Sequence, residues 1–281
     1  MNTLDAQYLN LCKEILKRGF KKENRTGISA YTIPSAYIKH DMSEGFPILT
    51  SRFIPFKSVR VELEFFIKGL TDKTWLQERG CHYWDEWCNP KKIPYSTDPL
   101  IQEHMRQESD LGKVYGYQWR NYNDSGIDQL KNIVETIKRN PNDRRMLCIA
   151  WNPQQIGEMA LPPCHFGFQV TVIDDAINLS WMQRSCDLAL GISSNIASYG
   201  LLLHLLSLQT GLRAGELCGH LNDVHIYENH INGLNTQLEQ EIFALPAIKT
   251  IDFRNIFNWQ YTQTSLENYK YSPKIEFPIA V

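Results

Sequence analysis

The feature that most narrows the fold is a pair of strand-like runs, Phe166 to Ile173 and Ala176 to Met182, separated by Asp174-Asp175. Alternation with a period of two reads as strand, and adjacent aspartates between such runs read as a turn. Met146 to Trp151 adds a strand-like run upstream. Elsewhere helical spacing takes over. Residues 4–20 set Tyr8, Leu9, Leu11, Ile15 and Leu16 at helical intervals, and 57–69 is strongly apolar and closes near Gly69. Residues 127–139 form a helix ended by Asn140-Pro141-Asn142-Asp143, and 196–211 a long apolar helix ending at Gly211. Arg25-Thr26-Gly27 is expected as a turn before strand-like Ser29 to Ile38, Tyr83 to Trp87 as a loop or short helix, and 248–279 as strands and loops. Runs of strands with a few long helices imply an α+β fold with a mixed sheet, not regular βαβ winding. No repeat or linker divides the 281 residues. A single domain spanning 1–281 is therefore expected, with polar, proline-bearing 88–110 as a mobile insertion.

Composition removes several function classes. The net charge of −2 leaves no basic excess for nucleic acid or an acidic membrane surface. No apolar run approaches the roughly 18–20 residues that span a bilayer, and the acidic, helical N-terminus is not a targeting peptide. The seven cysteines are scattered without a C-x-x-C pair. That argues against a disulfide framework or a zinc site, and for a reducing cytoplasm.

Chemistry concentrates around Cys164, in LPPCHFGF. Two prolines fix the backbone before it, and His165 follows. Alone, such a cysteine is more often structural than catalytic. Its neighbours shift the balance. Arg144-Arg145 lie upstream, Arg184-Ser185 downstream and Arg25 far back in the chain. Guanidinium forks suit phosphate, and a thiol near them ionises more readily. Asn195, in GISSNIASYG, reads either as a helix cap or as a carboxamide that complements the N3–H and O4 of uracil. His225 and Tyr227, two apart in HLNDVHIYENH, share one strand face. A metal reading lacks a third ligand, and a sugar hydroxyl fits the pair better. Glu62 and Glu64 lie inside the apolar helix VRVELEFFIKGL, where one of them faces solvent or serves as a proton relay with a raised pKa.

Eight strings occur in order: YWDEW (83–87), DLGKVYGYQWR (110–120), DRRMLCIAWNP (143–153), LPPCH (161–165), QRSCDLALG (183–191), NIASYG (195–200), DVHIYENH (223–230) and FPIAV (277–281). Together they make the chain resemble the thymidylate synthase family over nearly its whole length. The resemblance implies a homodimer joined sheet to sheet, with flanking helices. It implies that Cys164 attacks C6 of dUMP and that 5,10-methylenetetrahydrofolate supplies one carbon to C5. Arg25, Arg184 and Ser185 would hold the phosphate, with Arg144 and Arg145 reaching across from the other subunit. Asn195 would read the uracil edge, and His225 and Tyr227 the 3′-hydroxyl. Glu62 and His165 would relay protons, and Tyr115 would assist proton removal from C5. Asp187 and Gly191 would contact the pterin, Trp84 and Trp87 would line its site, and the Val281 carboxylate would close over it.

The folate side departs from the family. Ser193-Ser194 stand where Pro-Phe is usual, Tyr83 where an aliphatic residue is usual, and Leu221-Asn222 where Gly-Gly is usual. Glu64, in ELEF, takes an apolar position and is similar to the ELEW of phage deoxycytidylate hydroxymethylases. Glu64, Ser193, Ser194 and Tyr83 are expected near the folate, where they would position a water. A dUMP hydroxymethylase is therefore the alternative, with dCMP less favoured because position 195 is Asn. An inactive nucleotide-binding homologue is a third reading, opposed by Cys164 and the arginines.

Overall fold

The computed structural model describes residues 2–24 and 26–279. Helix α1 (Thr3–Arg18) starts at Asn2, whose side chain accepts the Asp5 N–H, and stops at Gly19. It buries Leu4, Tyr8, Leu9, Leu11, Cys12 and Ile15. Strands β1 (Phe20–Lys22) and β2 (Ala30–Asp41) follow. Next come α2 (Phe56–Ile67), the single turn α3 (Thr74–Gln77), α4 (Pro99–Gln107), which lies within the stretch 88–110, α5 (Gly116–Arg120) and α6 (Gln129–Arg139). The Asp128 side chain caps α6 by accepting the Lys131 N–H at 2.9 Å. Strands β3 (Leu147–Ile149), β4 (His165–Ile173), β5 (Ala176–Gln183) and β6 (Cys186–Asp187) lead into α7 (Gly191–Thr210). The chain then runs through β7 (Arg213–Tyr227), α8 (Ile231–Leu238) and the small pair β8 (Ala247–Thr250) and β9 (Thr264–Glu267).

The main sheet is mixed, ordered β1-β2-β7-β5-β4-β3, with β6 beside β7. Asp174-Asp175 turn β4 into β5 as expected, with Asp174 in the left-handed region at φ 57°. β5 and β7 run parallel, so a crossover must join them, and α7 supplies it. Phe168, Val170, Leu179, Trp181 and Leu217 point to one face and join a hydrophobic core that extends from Leu4 to Phe277. The α+β class with a mixed sheet and flanking helices holds.

Helix α7 corrects two expectations. It begins at Gly191, five residues before the predicted start, because tertiary packing overrides the weak helix preference of Gly-Ile-Ser-Ser. It is also long and apolar enough, by length and composition, to cross a membrane. Ser193, Ser194 and Asn195 hid that run in the sequence, and the helix lies mostly buried in the core.

Candidate active site

A cleft of about 760 Å³ opens between the C-terminal end of β5, the start of α7, the end of β7 and the loop bearing Trp84. Cys164 lies on its wall with its backbone held on both sides. The Cys164 N–H donates to Tyr115 Oη at 2.9 Å, and its carbonyl accepts the Arg184 N–H at 2.8 Å. Arg184 Nε and Nη2 donate to the carbonyls of Pro163 (3.0 Å) and Pro162 (2.8 Å), and its guanidinium lies 5.3 Å from the centre of the Trp151 ring. Arg184 thus braces the segment that presents the cysteine. The other six cysteines are buried, whereas Cys164 is only partly so. Burial pushes the Cys12 and Cys81 thiols up to about 12.

Beside the cysteine sit the proton-handling groups. Trp84 Nε1–H donates to Glu62 Oε1 at 2.7 Å. Burial raises the Glu62 carboxyl to about 7, against the lowering effect of that bond. His165 stacks on Tyr115 with ring centres 4.3 Å apart, and its Nδ1 lies 2.9 Å from Tyr199 Oη. Desolvation pushes His165 down to about 3, so it is a neutral imidazole near pH 7.

The polar wall holds Ser185, Arg184, Asn195, His225 and Tyr227, all lining the cleft. Asn195 falls in the second turn of α7 and does not cap it; its Oδ1 accepts from Gln183 Nε2 at 3.3 Å. Gln183 is itself fixed, accepting from Trp181 Nε1 at 3.1 Å and donating to the Ser185 carbonyl at 3.1 Å. The sequence reading gave Gln183 no role. Its signal was a polar residue continuing the inward series Ile177, Leu179, Trp181. His225 and Tyr227 share a face of β7, with rings edge to face at 5.1 Å, and among the described residues no cluster of three or more metal-ligating side chains forms. Arg25 and Val281 lie outside the described residues. Arg144 and Arg145 are exposed and line no part of the cleft; Arg145 pairs with Asp143 at 2.7 Å.

The opposite wall is largely aromatic and aliphatic: Trp84, Trp87, Leu190, Leu161 and Ile279, with Gly191 at the helix start. Asp187 lies at the same end. Its Oδ1 accepts the N–H groups of Ala189 (2.9 Å) and Leu190 (3.2 Å), tying β6 to the entry of α7. His230, also without an assigned role, donates from Nε2 to the Pro278 carbonyl at 2.7 Å and docks the tail beside Ile279. Two of the four polar residues expected near the folate reach the cleft: Tyr83 Oη lies 3.3 Å from Ser194 Oγ. The other two do not. Glu64 accepts the Tyr261 N–H (2.7 Å) and Lys68 Nζ (2.9 Å) on the far side of α2. Ser193 Oγ accepts from Arg52 at 2.9 Å and donates to the Leu190 carbonyl at 3.2 Å. Adjacent helical residues point about 100° apart, so Ser194 faces the cleft and Ser193 the core.

A protein-family model described as thymidylate synthase matches residues 6–281. A thymidylate synthase of Mycoplasma genitalium is 39% identical over 287 residues, covering 98% of this chain and 99% of that protein.

Proposed function

The chain belongs to the thymidylate synthase family, and on that premise we propose that it methylates dUMP at C5, using 5,10-methylenetetrahydrofolate and giving dTMP and dihydrofolate. The observation that carries this reading is Cys164, the one cysteine of seven that is not buried, clamped between Tyr115 and Arg184 on the wall of the cleft.

The Cys164 thiolate adds to C6 of dUMP, which makes C5 nucleophilic toward the one-carbon unit. Tyr115 Oη accepts the Cys164 N–H, so its own proton remains to be donated or exchanged near C5. Glu62, raised to about 7, accepts or returns a proton near neutral pH. His165 acts there as a neutral hydrogen-bonding group. Arg184 keeps Nη1 for the phosphate, joined by Ser185 and Arg25, with Arg144 and Arg145 supplied by a second subunit. Gln183 holds the Asn195 carboxamide for the uracil edge, and His225 and Tyr227 take the 3′-hydroxyl. Trp84, Trp87, Asp187 and Gly191 form the folate wall, over which the tail ending at Val281 closes. The widely spaced, mostly buried cysteines favour a cytoplasmic protein.

A second reading, dUMP hydroxymethylation, draws on the Tyr83–Ser194 pair, two hydroxyls in a largely apolar wall. The position of Glu64 and Ser193 outside the cleft weakens it. Product analysis from dUMP and methylenetetrahydrofolate tests both readings. dTMP with dihydrofolate supports the synthase. A product one oxygen heavier than dTMP, with tetrahydrofolate, overturns it in favour of the hydroxymethylase. Absence of tritium release from [5-³H]dUMP defeats both and leaves a binding protein.

A further inference from the structure

Lys73 stands just before α3 with only 1% of its surface exposed. A buried ammonium normally pairs with a carboxylate. This one donates to three main-chain carbonyls: Asp85 at 2.9 Å, Trp87 at 2.8 Å and Met105 at 2.8 Å. An ammonium has three donors, so the set saturates it. Burial lowers its pKa, and the nearby carboxylates of Asp85, Glu86 and Glu108 offset part of that by favouring the charged form. Its own N–H donates to the Ser109 carbonyl at 2.8 Å, so Lys73 is joined to both ends of the excursion from Trp84 to Ser109.

Two of its three acceptors flank the aromatic wall. Trp87 provides one, and Asp85 directly follows Trp84, whose indole holds Glu62. The third lies in α4, which is anchored to the loop through this contact. We propose that Lys73 is a positioning residue for the folate side of the cleft: one buried ammonium fixes the backbone that aims Trp84 and Trp87, and the segment 88–110 serves as the frame that holds it. This rests on the reading above that these tryptophans face the folate.

The test compares wild type with Lys73→Met, which removes all three donors, and Lys73→Gln, whose carboxamide retains two. Two readouts are taken: separate KM values for methylenetetrahydrofolate and dUMP, and amide hydrogen exchange by mass spectrometry. In Lys73→Met the KM for methylenetetrahydrofolate is expected to rise about tenfold, with the dUMP KM essentially unchanged and a smaller rise in Lys73→Gln. Exchange should increase over residues 84–107 and not in the central sheet. Equal changes in both KM values, or a loss of kcat alone, would show a merely structural residue and overturn the proposal. Unchanged exchange over 84–107 would overturn it too. If Lys73→Met does not fold, Lys73→Gln carries both measurements. Wild type without activity would sink the functional reading, whereas the exchange pattern would still decide whether Lys73 braces the wall.

Discussion

Glu62 and Glu64 lie two residues apart on α2, about 200° around the helix axis, so they face opposite ways and both are buried. Glu64 is balanced by Lys68 and the Tyr261 N–H. Glu62 has one indole donor, and burial raises its carboxyl from 4.5 to about 7. An acid with a raised folded-state pKa binds more protons folded than unfolded between those values, so stability falls as pH rises through that window. Above it the cost is about 3 kcal/mol. Glu62→Gln keeps the acceptor for Trp84 and removes the titration. Urea unfolding at pH 5 and pH 8 should therefore show a decline in wild type that is smaller in the variant, and equal declines would refute the assignment. Cys164 permits a sharper expectation. Cys164→Ser retains the backbone clamp, so dUMP should still bind while turnover falls by more than about 10³-fold. Near-normal turnover would end the nucleophile reading.

At the scale of elements, the β6–α7 junction shows what the sequence revealed and what it hid. The turn at Asp174-Asp175, the strands around it and the spans of α1, α2 and α6 were legible because the periods are clear there, with Asn2 and Asp128 capping α1 and α6 and Gly69 following α2. The start of α7 and most of β7 were not. Gly191, Ser193 and Ser194 are weak helix formers, and the Gly215, Gly219 and Asn222 positions interrupt strand alternation. Gly219 lies against the Trp181 ring, where an added Cβ would come within 2.4 Å, so the glycine reflects packing that no local pattern reports. Nor could sequence show that Asp187 ties down two N–H groups before α7 while lining the cleft. Those two roles separate by substitution. Asp187→Asn keeps an acceptor and should change stability by less than about 0.5 kcal/mol, whereas Asp187→Ala should lose about 1 kcal/mol. Both should raise the KM for methylenetetrahydrofolate. If Asp187→Asn leaves that KM unmoved, the residue is only a tie.

Across the whole molecule, helices cover one face of the main sheet. The other presents Tyr37, Leu147 and Ile149, all exposed, with Gln169, Ser180 and His220 between them. The same edge carries Arg144 and Arg145, exposed just before β3 and absent from the cleft of their own chain. Sequence could place these arginines next to a strand but not on either side of a subunit boundary, because that depends on a second copy. If the bare faces pack together and the arginines complete the partner's phosphate site, each site draws on two chains. Arg144→Ala/Arg145→Ala and Cys164→Ser should then each be inactive as homodimers. Random reassortment makes half the dimers hybrid, and each hybrid has one complete site, with Cys164 from one chain and the arginines from the other. The mixture should recover about a quarter of wild-type activity. Native mass spectrometry would establish that hybrids had formed. Hybrids that form yet remain as inactive as their parents would mean that the arginines serve no partner site.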